Sequence, residues 1–159
     1  MGNVNVKAGI WLGVLVFIWT LVMGMTGWYK HPVLLNMFWV VILIEVAVLL
    51  WALRKTAAAT EYLGQVGNGA LVAVIGAAII FCGSLLFTSV LFPNYFAELR
   101  AIQTEMLKNA GKTEAEISAT IAMTATMQTP VINAVMGAVG TVVTGLLASL
   151  IIAIFHRKK

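Results

Sequence analysis

Glu45 is the residue around which chemistry could be built. It is the one charged side chain within four strongly apolar stretches, residues 8–28, 33–53, 69–91 and 131–155, and stands thirteenth in the second of them. If that stretch crosses a bilayer, Glu45 lies within about a turn of the midplane. A charge at that depth costs at least ~2.5–3.5 kcal/mol on the insertion scale, so desolvation favours the neutral acid. Two roles suit such a group. One is the protonatable site of a small proton-coupled transporter or channel; the other is a neutral tie between helices or subunits. Counting inward from the span ends places Trp19 and Thr144 at similar depth, as candidate hydrogen-bond partners. Val41, Ile42, Val48 and Leu49, its neighbours at helical spacing, offer no second group for a proton relay.

Other constellations are missing. There is no aspartate, and His31 and His156 fall on opposite sides of the expected spans, so no His/carboxylate cluster could hold zinc. Ser84, Ser89, Ser118 and Ser149 have no base nearby in sequence or depth. Gly64, Gly67 and Gly69 form a loose glycine run with neither a preceding strand nor a following Lys-Ser/Thr; they read as a flexible connector, not a phosphate cradle. Cys82 is the sole cysteine, which excludes an intrachain disulfide. Apart from Met1, the methionines (Met23, Met25, Met37, Met106, Met123, Met127 and Met136) all lie toward one side of the spans. Thioethers select Cu(I), but methionine is also a flexible packing residue, and packing is the simpler reading. No catalytic, cofactor-binding or metal-binding residue is expected, and no enzymatic activity.

The elements that would position Glu45 follow from length. Each apolar stretch spans a hydrocarbon core of ~30 Å as a helix, the structure that satisfies its own backbone in lipid. Hydrophobic residues make up 61% of the 159 positions and charged ones only 10%, against ~25% charged in soluble domains. The expected fold is all-α: one four-transmembrane-helix bundle over residues 1–159. The first stretch is too long for a signal peptide's apolar core, and Val6 replaces the Ser or Thr of a myristoylation motif. It reads as a retained helix. The net charge of +4 is no nucleic-acid signal, because half of the basic residues flank span ends. Lys7, Arg54, Lys55, Arg157, Lys158 and Lys159 share one side with Glu61 alone; Lys30, Arg100, Lys108 and Lys112 face Glu98, Glu105, Glu114 and Glu116 on the other. The positive-inside rule puts both termini and the loop 54–68 in the cytoplasm. Trp28, Tyr29, Phe92, Tyr95 and Phe96 would form the outer aromatic belt, and Trp11 and Trp51 the inner one.

The connections are unequal. Residues 29–32 form a tight hairpin that makes the first two helices antiparallel neighbours. Residues 92–130 have helical grammar: Phe96, Leu99, Ile102, Met106 and Ala110 recur at three- and four-residue steps, Gly111 supplies a stop, and Thr113 with Glu116 is a capping box. An amphipathic helical hairpin on the outer membrane surface is expected there. In the last span Gly137, Thr141, Gly145 and Ser149 recur every four residues, a small-residue helix-packing stripe. Gly9 and Gly13, and Ala73 and Ala77, repeat the spacing in the first and third spans. Such a stripe serves packing within the chain or a homodimer seam.

Several of these residues carry a resemblance. Phe92-Pro93-x-Tyr95, Met106, Gly111, the Thr113–Ile117 helix start, Pro130, the glycine-containing last span and the basic Arg157-Lys158-Lys159 tail resemble bacterial domain-of-unknown-function family 4199. It comprises small four-span membrane proteins with no assigned activity. The resemblance implies the architecture and a bacterial cytoplasmic (inner) membrane location, and it brings no catalytic residues. The second hairpin helix departs from the family's charged pattern by being rich in Thr, Ala and Met.

Two function classes remain. A polar lining spread over several spans is thin in the sequence, which favours a non-enzymatic membrane subunit or self-associating scaffold in the lipid bilayer, as a homo-oligomer or within a membrane complex. The alternative is a small oligomeric proton-coupled transporter or channel using Glu45.

Overall fold

In a computed structural model, residues 2–158 are described. Lys159, counted above in the basic tail, and Met1 lie outside the described residues. The helices are α1 (Gly2–Thr26), α2 (Val40–Thr56), α3 (Tyr62–Leu86), α4 (Tyr95–Asn109), α5 (Glu114–Met127) and α6 (Pro130–Phe155), with no strand among the described residues. Four helical segments, Asn3–Thr26, Leu34–Ala59, Tyr62–Leu91 and Pro130–Phe155, are long and apolar enough to cross a membrane.

Helix α3 is the centre of the bundle. It packs most extensively on α6 and α1, while α2 closes against α1 and α6. Small residues make these seams close. A Cβ added at Gly9 would come 2.6 Å from Ile75 Cβ, and one added at Gly145 would come 2.6 Å from Ala73 Cβ. In lipid, packing of this kind replaces the hydrophobic drive of a soluble core.

Three boundaries differ from the sequence reading. The loop 54–68 is mostly helix: α3 starts at Tyr62, so Gly64, Gly67 and Gly69 are helical and not a connector. No proline interrupts the run, so the helix extends N-terminally beyond the apolar stretch. The second span opens as a 3-10 segment, Leu34–Trp39, before α2. The third closes in a π turn, Phe87–Leu91, with Phe92 N–H donating to Phe87 O at 2.8 Å. That turn places Phe87 and Thr88 inward.

The helical hairpin between the third and fourth spans is present. Gly111 adopts a left-handed φ of 75° after α4, and Thr113 and Glu116 form the reciprocal capping box of α5. The aromatic belt differs from expectation. Tyr29, Tyr95 and Phe96 are buried with Phe87 in one cluster, joined by Phe17, Phe38 and Phe92. The connections fold back over the bundle end, so these rings pack on each other.

Candidate functional site

Glu45 projects from α2 toward α6 and is only 4% exposed. Its Oε2 lies 2.5 Å from Thr144 Oγ1, which is also 2.9 Å from the Gly140 carbonyl. One hydroxyl proton cannot serve both acceptors. When Glu45 is protonated it donates to Thr144, and Thr144 donates to Gly140. When it is ionised, Thr144 turns its proton to the carboxylate, and Gly140 keeps its ordinary helical bond. The pair thus accommodates either protonation state by rotating one hydroxyl. Oε1 has no hydrogen-bond partner among the described residues. It sits against Gly145, where an added Cβ would lie 2.8 Å away. Gly145 is needed for that close approach.

Of the two candidate partners, only Thr144 meets Glu45. Trp19 instead donates from Nε1 to the Met37 carbonyl at 3.0 Å. The 3-10 opening of the second span explains the difference. Six residues at ~2.0 instead of ~1.5 Å rise carry Glu45 roughly 3 Å farther from the hairpin end than an α-helix would. It also leaves the Met37 carbonyl within reach of the indole.

Beside Glu45 is a cavity of about 370 Å³ between α1, α2 and α6. It adjoins a second, of about 330 Å³, and the two share Val16, Phe38, Val41, Met136, Gly137 and Thr141. The second cavity runs to Thr20, Ser84, Thr88, Asn133 and Tyr95 below the hairpin. Asn133 Nδ2 donates to Ser84 Oγ at 3.0 Å, and Thr88 Oγ1 to the Ser84 carbonyl at 2.8 Å. These lining groups were missed in the sequence. The signals for them are Ser84 and Thr88 one helical turn apart and Asn133 as the one amide side chain in the last apolar span. Toward the chain termini, Leu12, Leu49, Leu53, Val72 and Ile152 fill the bundle.

The small-residue stripe on α6 divides between these regions. Gly145 and Ser149 are buried against Ala73 and Gly69 of α3, whereas Gly137 and Thr141 line the cavities. Below the apolar plug lies a buried polar network that the sequence does not signal, since Thr56, Gln65 and Asn68 fall in the expected loop 54–68. Gln65 Nε2 donates to the Leu53 and His156 carbonyls at 2.9 and 2.7 Å. Its Oε1 accepts from Thr56 at 2.6 Å and from Asn68 at 3.2 Å. Asn68 accepts in turn from Asn5 at 2.7 Å. One side chain therefore ties α2, α3 and the end of α6, and through Asn68 it reaches α1.

At the opposite end the Tyr29 hydroxyl donates to Glu98, and Lys30 Nζ lies 3.0 Å from the same carboxylate. Burial foremost, then the Glu98 carboxylate, pushes the Tyr29 hydroxyl up. Burial pushes Tyr95 up to about 12. The Tyr29 hydrogen bond, followed by Lys30, holds Glu98 below the usual carboxylate range. Among the described residues no group of three His, Cys, Asp or Glu could hold a metal ion. The methionines do not share one surface: Met23 is fully buried, whereas Met25 is 80% exposed.

The family model described as protein of unknown function (DUF4199) matches residues 7–158. No curated protein matches the chain, and no solved structure does.

Proposed function

From the premise that the chain belongs to the family of proteins of unknown function DUF4199, we propose that it is a small integral membrane carrier whose protonatable centre is Glu45. The observation that carries this is the position of Glu45. It stands in a largely apolar cavity that adjoins a more polar one below the hairpin and meets an apolar plug on the side of the termini. A protonatable group set between a cavity and a packed plug is what a carrier presents in one of its two states. The lining supports the carrier over the scaffold reading because its polar groups come from α1, α3, α4 and α6 together. The proposed role is non-enzymatic. In this reading the chain sits in a bacterial inner membrane, and the charge distribution supports cytoplasmic termini and an outer hairpin.

Carboxyl-region infrared difference spectroscopy in lipid, read against Glu45→Gln, tests the centre. A Glu45 band that titrates between about pH 6 and 9, the range burial can reach, supports the carrier. A band that stays protonated throughout overturns it and leaves a sealed structural tie.

One observation favours a second reading, a subunit of a larger assembly. Among the described residues of helix α5 only Ile117 is buried, and the exposed Glu114–Glu116, Ser118–Thr120 and Met123 surface is open to a partner. Purification in mild detergent separates the two: a stoichiometric co-purifying protein supports the subunit, and a clean homo-oligomer supports the carrier.

A further inference from the structure

We infer that the adjoining cavities bind a lipophilic cation, an organic ammonium or phosphonium with an apolar or aromatic body, in exchange for the proton of Glu45. The inference rests on the carrier reading and names its ligand class.

Three features of the lining select this chemistry. The first is charge: neither cavity is lined by Lys, Arg or His, so a bound anion would have no partner, whereas Glu45 supplies one carboxylate for a cation. The second is polarity. Beside Glu45 the only side-chain hydroxyls are those of Thr141 and Thr144. A sugar or peptide would leave several buried polar groups unpaired there. The third is shape: Phe17, Phe38, Phe87 and Tyr95 border the adjoining cavity, and aromatic faces attract an organic cation as well as covering its apolar body.

The proton balance follows from the Thr144 switch. The neutral acid is the state compatible with an empty site, since a lone carboxylate in this setting lacks a counter-charge. When the cation enters, the Oε2–H bond breaks and the proton leaves to water on the hairpin side. Thr144 then turns its hydroxyl from Gly140 to the carboxylate, which pairs with the cation. Net charge inside the cavity is conserved. Among the described residues no other Glu lines either cavity, and Tyr95, at the far end, is the only other titratable group there.

The test uses the full chain in neutral phosphatidylcholine nanodiscs with tetraphenylphosphonium as probe, and empty discs set the partition baseline. Expected are saturable binding above that baseline and release of a proton for each cation bound in weakly buffered solution. Glu45→Gln should abolish the release and weaken binding by at least about tenfold, the scale of losing a buried charge partner. Gly137→Leu fills the space shared by both cavities without touching Glu45; it should remove binding and retain the Glu45 infrared band. The inference is overturned by binding no greater than to empty discs, by equal affinity in Glu45→Gln, or by equal binding of neutral triphenylphosphine oxide. A titrating Glu45 band without cation binding overturns the ligand class and leaves the carrier standing; a silent band overturns both.

Discussion

Tyr29 and Glu98 lie sixty-nine residues apart and are joined by a hydrogen bond from phenol to carboxylate. That contact fastens α4 to the turn after α1, and Lys30 closes the group with an ion pair of 3.0 Å. It is a direct polar tie between the hairpin and the bundle.

Its pH window follows from the two shifts. Glu98 is depressed, so its contribution is fully present above the ordinary carboxylate range and is lost as pH falls through the depressed value. Tyr29 is raised, so its contribution is present below pH ~10 and is lost only as pH rises through the raised value. The tie is therefore intact from about pH 5 to 10. Glu98→Gln should cost about 1 kcal/mol at pH 7. The difference in Tm from the wild type should shrink as pH falls from 7 through and below the ordinary carboxylate range; a difference that does not change with pH would show that the charge plays no part.

Gln65 is fully buried and uses both ends of its amide. Gln65→Leu keeps the volume but leaves the Leu53 and His156 carbonyls and the Thr56 hydroxyl without these partners. A loss of roughly 1–3 kcal/mol, or about 3–10 °C in Tm in mild detergent, is expected. An unchanged Tm would mean that water replaces the amide at no cost.

The glycines of α6 should separate by position. Gly145→Leu drives side-chain atoms into Ala73 and Glu45, and overpacking of this kind costs ~1–3 kcal/mol or more. Gly140 has nothing within 4 Å of an added Cβ, so Gly140→Leu should be neutral or slightly stabilising through helix propensity. Parallel melting curves decide the point; equal damage at both sites would contradict the α3–α6 seam.

Orientation is testable by labelling in a Cys82→Ala background. A membrane-impermeant maleimide should modify Lys112→Cys in intact cells and Ala58→Cys only after the membrane is opened. The reverse pattern would invert the topology inferred from the lysines and arginines.

The four spans, the hairpin with its Gly111 stop and Thr113 box, and Glu45 as the one acid within an apolar stretch are legible from residue types alone. Each depends on local rules: apolar length, turn chemistry and helical spacing. Helix contacts across the bundle do not. Whether Trp19 or Thr144 meets Glu45 depends on axial offsets, and a short 3-10 segment at Leu34–Trp39 moved them by more than counting could resolve. Gln65, Asn68 and Asn5 gained their roles only when α3 extended to Tyr62 and brought four segments together. The cavity had no sequence signal of its own. It is space left where the 3-10 opening, the π turn and the glycines of α6 interrupt close packing, and such space exists only once the helices are set against one another.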